Sequence, residues 1–414
     1  MGEEMHEKKR VPAIRFAGFT EPWEQRKFKD IAGTRRGLTY KPTDITDRGI
    51  RVLRSSNINE DCFEIHDDDV LVNEDVVNIP YAKNGDILIT SANGSSKLIG
   101  KHAIIHDIQE KSTVPGGFML IASSDEPEFI NASMSSPWYT KFINVFVSGG
   151  NGSIGNLSKV DLDEQYILVP CKEEREKIGS YFSNLDNLIT LHQRKCDELK
   201  KVKKSLLQKM FPKEGSVVPA VRFAGFTEAW EQRELGNFII EYTEVTTENN
   251  QYPALTSSRK GIFLQTDYFS GNQIASEDNT GYNIVPYGYF TYRHMSDDEI
   301  FYFNINNIVE NGIVSTLYPV FTTNIELDSK YLQYQLNYGY EFAKFARLQK
   351  QGGSRTYMYL NKLKKLRITI PLSIKEQKSI SKVLLELDRI ITLHQRKLDQ
   401  LKMIKKSLLQ QMFV

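Results

Sequence analysis

A chain of 414 residues with 40% hydrophobic and 25% charged residues is globular and too long for one core, so two or three domains are expected. No apolar run reaches the length of a membrane span, and the opening MGEEMHEKKR lacks the apolar stretch of a secretory signal. The formal net charge of +1 favours no partner class, and three distant cysteines (Cys62, Cys171, Cys196) fit reduced thiols in a cytoplasm rather than a disulfide frame or a metal site.

Residues 11–26, VPAIRFAGFTEPWEQR, return as residues 218–233, VPAVRFAGFTEAWEQR, with 14 of 16 positions identical. A long segment follows each of these arms, and the two segments share little sequence but a common order of features. Runs of β-type residues at 50–53 and 86–90 in the first, and at 284–292 and 313–321 in the second, predict strands. After an early strand the first segment reads Arg54-Ser55-Ser56-Asn57 and the second Thr256-Ser257-Ser258-Arg259. The loop-rich stretch NGDILITSANGSSKLIGK (84–101) has its counterpart in PYGYFTYRHMSDDEI (286–300). Residues 149–170 and 352–371 each open on a glycine pair and close a last strand at Pro170 and Pro371. Each segment is therefore expected to be an α+β domain with polar, Gly/Ser-rich loops.

Residues 188–211 and 390–413 are the second repeated piece, identical at 18 of 24 positions. Alternating steps of four and three from Ile178 (through Phe182, Cys196, Lys203 and on to Met210) take in the seam positions Leu185, Ile189, His192, Leu199 and Leu206 in one copy. In the other, the same steps from Ile380 (through Leu384, Leu398, Lys405 and on to Met412) take in Leu387, Ile391, His394, Leu401 and Leu408. This is a coiled-coil seam, and each copy predicts one helix of about 55–60 Å whose partner is the other copy. Glu173, Glu174, Glu176 and Glu376 open the helices, as the macrodipole favours. His192 and His394 read as register-setting polar residues, and Lys203 and Lys405, which break the seam, as contacts for partner subunits. The expected boundaries are 1–170, 171–213, 214–371 and 372–414: domain, helix, domain, helix. The two-fold logic of the repeat also sets Phe413 within about 25 Å of Val11, the reach of the short linker after Phe211.

Enzyme signatures are near misses. Residues 150–155 spell GxGxxG but lead into a strand, not a helix. The stretch 94–101 resembles a phosphate loop with His102 in place of the required Ser/Thr. What the chain does hold is a contrast: arms and helices kept nearly identical, loops free to differ. Two readers on a paired scaffold suit an asymmetric duplex, and the loops carry suitable donors. In the first segment these are Arg54, Ser55, Ser56, Asn57, Asn93, Ser95, Ser96, Lys97, Lys101, Asn151 and Ser153. In the second they are Ser257, Ser258, Arg259, Lys260, Arg293, His294, Ser354 and Arg355. A peptide-binding scaffold with two variable domains is the alternative reading; a fused methyltransferase would need further cofactor motifs.

The arm ending WEQRKF/WEQREL, the helix entry marked by Pro170, Glu174, Ile178, Leu185, Asp186 and Ile189 (Pro371, Glu376, Ile380, Leu387, Asp388 and Ile391), and the closing KKSLLQKMF/KKSLLQQMF resemble the specificity subunits of type I restriction–modification enzymes. The resemblance covers nearly the whole chain. It implies two pseudo-two-fold-related α+β target-recognition domains, each reading half of a bipartite double-stranded DNA site. Between them it implies an antiparallel coiled coil of two long helices that sets the unread spacer. It further implies two methylation subunits that modify adenine, and restriction subunits, with S-adenosylmethionine, ATP and Mg held by those partners. No catalytic residue, cofactor, metal or membrane contact is then expected in this chain.

Overall fold

A computed structural model of the chain describes residues 11–147, 155–272, 274–350 and 355–414. The chain forms two compact units, one built from the chain up to Lys195 together with His394–Val414, the other from Cys196–Leu393. Packing draws these units across both long helices, so each contains a domain and a stretch of each helix.

In the first unit, the WEQR arm becomes the strand Glu24–Lys27, paired antiparallel with Tyr166–Val169, the last strand before the first long helix. A four-stranded antiparallel sheet follows in the order Gly33–Arg36, Met119–Ser123, Ile87–Thr90, His102–Ile104. Its central run Ile87–Thr90 is buried throughout because both faces are covered. Ile87, Ile89, Leu120 and Ala122 face the cluster containing Phe129, Tyr139 and Phe142 of the helices Pro127–Met134 and Pro137–Phe146. Leu88, Met119 and Ile121 face Leu53, Ile58 and Phe63. That is the two-residue alternation of a strand with a core on each side.

The second unit repeats the plan. Glu231–Glu234 pairs with Arg367–Ile370, and the four-stranded sheet runs Ile239–Tyr242, Val320–Thr323, Phe290–Thr291, Asn304–Ile305. Helices Ser329–Tyr338 and Tyr340–Leu348 pack on it. The order matches the first unit although the sequences do not, as expected of an α+β pair. Two details differ from the sequence reading. The runs at 284–292 and 313–321 each break into two strands, Asn283–Pro286 then Phe290–Thr291, and Asn311–Val314 then Val320–Thr323. The first break falls at Gly288, whose φ of +86° is the left-handed turn conformation.

The long helices span Lys172–Lys209 and Ile374–Met412. Within the first unit Asp186 meets Lys405 and His192 meets His394, so one number climbs as the other falls: the helices run antiparallel. Within the second unit Cys196 and Ile391, then Lys203 and Asp388, give the same sense. Ile178, Leu185, Ile380 and Leu401 are buried, and the other eight seam residues are half-buried. Ile178 and Ile380 lie in the domain cores rather than in a bare seam.

Two further features join arm and helix. Ile14 donates its amide to the Gln411 carbonyl (2.9 Å) in the first unit, and Val221 donates to Lys209 (2.8 Å) in the second. Phe413 packs edge-on against Trp23, centroids 5.9 Å apart, so the helix end lies beside the arm as the repeat logic requires.

The Nδ1 atoms of His192 and His394 lie 2.9 Å apart. One must donate and the other accept, so a second proton breaks the bond. Burial, then the neighbouring His394 and Lys397, holds the His192 pKa below the usual histidine range. A depressed histidine contributes stability in full above its unfolded pKa of about 6.5, and loses it as pH falls through the folded value. Melting temperature is therefore expected to drop between about pH 7.5 and 5.5, and His192→Asn should flatten that drop. An equal drop in the variant would assign the pH dependence to other groups.

Candidate nucleic-acid interface

The loop after strand Ile45–Leu53 is shaped from below. Arg51 donates to Asp69 (2.7 Å), and the amide of Asn57 donates to both Asp69 oxygens (2.9 and 3.0 Å) and to the Glu64 carbonyl (3.0 Å). The Asn57 side-chain oxygen accepts from the Arg54 backbone amide (2.7 Å). This buried network closes the turn Ser55–Asn57 and leaves Arg54 and Ser56 exposed. Asn57, expected among the groove-facing donors, is itself 0% exposed and positions the loop from below. Its hydrogen bonds are all spent inside the domain.

Asn93 crosses from the next loop: its amide donates to the Ser55 hydroxyl (3.0 Å), and its carbonyl oxygen accepts from the Ser95 amide (2.9 Å). Arg54, Ser55 and Asn93 thereby line one hollow of about 690 Å³, walled by Tyr40, Ile45 and Phe118. Ser95, Ser96 and Lys97 are exposed beyond Asn93. Lys101 is not part of this group; it lines a separate hollow with His102, Tyr139 and Lys405. Asn151 and Ser153 lie outside the described residues, as does Ser354 in the second unit.

In the second unit the equivalent turn is a hairpin, Leu255–Ser258 with Gly261–Leu264. Ser257 is buried: its hydroxyl donates to the Thr291 carbonyl (3.1 Å) and accepts from Asn304 (2.8 Å). His294 is buried too, with Nδ1 against the Leu317 carbonyl and its ring stacked on Tyr359, centroids 5.0 Å apart. Both were expected among the donors, and here they spend these hydrogen bonds on the fold, as buried polar groups do. Ser258 is half-buried, its hydroxyl donating to the Gly261 carbonyl (3.1 Å) and accepting from the Lys260 amide (3.1 Å). Arg259, Lys260, Arg293 and Arg355 are exposed. Arg259 pairs with Asp298 and Arg355 with Asp297 (3.0 Å), so two arginines from distant segments converge on one acidic loop. Lys350 joins them through Glu299.

Sequence reasoning missed Tyr40 and Phe118, which wall the hollow of the first unit, and the exposed stacked pair Tyr357 and Tyr359 of the second, centroids 6.0 Å apart. The one signal for Phe118 was a bulky residue directly after Gly116-Gly117. Glycine is needed at Gly37, where a Cβ would stand 2.0 Å from the Gly116 carbonyl oxygen. That close approach brings residues 37–40 alongside the turn that carries Phe118.

Two α+β domains on one plan, each with a polar loop cluster, define the architecture to be matched. The chain matches the family described as the type I restriction modification DNA specificity domain twice, over residues 20–201 and 230–403. The chain belongs to that family. A curated relative, the MjaX specificity subunit of a type I restriction enzyme from Methanocaldococcus jannaschii, is 25% identical over 94% of this chain and 92% of its own length. The crystal structure of the type I restriction–modification S subunit from M. genitalium aligns over 98% of this chain and 99% of that one, with a TM-score of 0.59 at 14% identity. That likeness carries the fold.

This protein is thus a type I specificity subunit, a component that selects DNA rather than one that performs chemistry on it. Among the described residues no cluster of His, Cys, Asp or Glu is placed to hold a metal ion, and no helix is long and apolar enough to cross a membrane.

Proposed function

We propose that the subunit reads an asymmetric bipartite duplex, one half-site per domain, and directs adenine methylation and cleavage by partner subunits in the cytoplasm. Two methylation subunits and the restriction subunits would supply S-adenosylmethionine, ATP and Mg. The observation that supports this reading is the grouping of Arg54, Ser55 and Asn93 around one hollow, against a different set, Arg259, Arg293 and Arg355, on the matching frame. Arg and Asn are the residues that pair bidentately with guanine and adenine edges in the major groove. The carboxylates that hold Arg259 and Arg355 do not contradict this. Both pairs are exposed, and such pairs are worth little in water, so a phosphate or base edge can replace them.

The test is a complex with its methylation subunit, read by sequencing methylated DNA. Exchanging residues 27–166 for those of another specificity subunit should change one half of the methylated motif and leave the other intact. Arg54→Ala should weaken the complex by about 1–3 kcal/mol and relax one base position of that half only. Change in both halves together would refute one reader per domain, and a uniform loss on all sequences would make Arg54 a phosphate contact.

A further inference from the structure

Two exposed apolar side chains occupy the same place in the two domains. Phe118 is 69% exposed and Leu317 48% exposed. Phe118 immediately precedes strand Met119–Ser123, and Leu317 stands in the turn before Val320–Thr323, the equivalent strand of the matching sheet. Their backbones are pinned alike. The Phe118 carbonyl accepts from the amides of Ser91 (2.9 Å) and Ala92 (3.1 Å), which follow Ile87–Thr90. The Leu317 carbonyl accepts from the His294 amide (3.5 Å), which follows Phe290–Thr291. The local sequences, Gly116-Gly117-Phe118 and Leu317-Tyr318, have nothing else in common. A single exposed apolar residue is ordinary. An exposed apolar side chain at one equivalent turn in two divergent domains is not accounted for by packing, because about half or more of each side chain is left to solvent.

The surroundings indicate what would cover it. Phe118 forms the ridge between two hollows, one lined by Arg54, Ser55 and Asn93, the other by Arg36 and Asn156. On the other domain, Leu317 adjoins His294, which stacks on the half-exposed Tyr359. One position is aromatic and the other aliphatic, so the shared property is apolar contact rather than ring stacking. Among base edges in the major groove, the apolar feature is the 5-methyl of thymine.

We propose that Phe118 and Leu317 are specificity residues, each packing on a thymine methyl of the half-site its domain reads. The proposal rests on the DNA-reading function above and adds one residue and one base type to each half-site. The experiment uses the subunit assembled with its methylation subunit. Phe118→Ala should relax a single T·A position toward cytosine in one half of the methylated motif, and Leu317→Ala should do so in the other half. On duplexes with deoxyuridine replacing that thymine, the parent complex should bind about 3–5-fold more weakly, whereas Phe118→Ala should not distinguish the two duplexes. Phe118→Leu, which keeps an apolar tip, should retain the preference. Folding is read separately by circular dichroism, which an exposed substitution should leave unchanged. The proposal is overturned if the alanine variants methylate the parental motif unchanged, or if they lose equal affinity on thymine and uracil duplexes. Half-sites without an A·T pair overturn it as well. A parent complex with no sequence preference at all would overturn the DNA-reading function itself.

Discussion

Arg15→Ala is expected to destabilise the first unit by about 3–5 kcal/mol, the cost of stranding a buried charge. Arg15 donates two hydrogen bonds to Glu174, through Nε (2.7 Å) and an Nη atom (2.8 Å), and the Glu174 side chain is 0% exposed. The pair joins the arm, at the start of the chain, to the first turn of the long helix. Without the guanidinium, the fully buried carboxylate loses both of these donors and pulls the helix start away from the core. Arg222 and Glu376 repeat the clamp at 2.6 and 2.8 Å, with Trp230 Nε1 adding a third donor at 3.2 Å. Glu376→Ala should therefore cost at least as much as Glu174→Ala. Denaturant unfolding followed by tryptophan fluorescence would check this, since Trp23 and Trp230 are buried one in each unit. The double replacement Arg15→Met with Glu174→Leu should recover much of the loss, because an apolar pair strands no charge. A single-variant cost under about 1 kcal/mol would reduce the clamp to an ordinary surface pair.

Lys405→Glu is expected to melt the first unit rather than merely release a partner, at a cost of about 3–5 kcal/mol. The Lys405 side chain is 9% exposed and donates to Asp186 (2.7 Å) on the first helix and to Asp61 (2.9 Å) on the recognition domain. Burial works against its charge, but the two carboxylates outweigh burial and hold the ammonium above the usual lysine range. Reversing the charge would put three carboxylates in one place. Lys203, the equivalent lysine, meets Asp388 (2.6 Å) and lies over the rings of Tyr338 and Tyr334. Having one carboxylate rather than two, Lys203→Glu should cost less. These lysines were expected from the seam pattern to serve partner subunits; within the chain, Asp388 and Asp186 make them cross-links between the helices. Unfolding midpoints that stay put while binding of the methylation subunit is lost would restore the partner role. Lys405→Glu combined with Asp186→Lys should recover part of the stability.

The residues legible in advance were those whose role is written in spacing or repetition. The seam from Ile178 to Leu206 and from Ile380 to Leu408 follows from periodicity alone, because a helix repeats every 3.6 residues whatever it packs on. The matched arms and the matched order of strands made two equivalent domains readable although their loops differ. Glu174 and Glu376 were read as macrodipole residues, which is true of any acid in a first turn, but burial against Arg15 and Arg222 is what holds them.

Periodicity and repetition in the sequence thus determined the repeated plan, the α+β class, the long antiparallel-pairing helices and the closeness of Phe413 to the arm. Tertiary structure alone decided which loop side chains face outward. Asn57, Ser257 and His294 have the same composition signal as Arg54 or Arg293, yet turn inward to Asp69, Thr291 and Leu317. Equally, nothing local to Lys405 announces Asp61, more than three hundred residues away along the chain. The physical reason is that a polar group can be buried only where the fold supplies a partner in place of water. The partner's address lies in the packing of distant segments, where no local pattern records it.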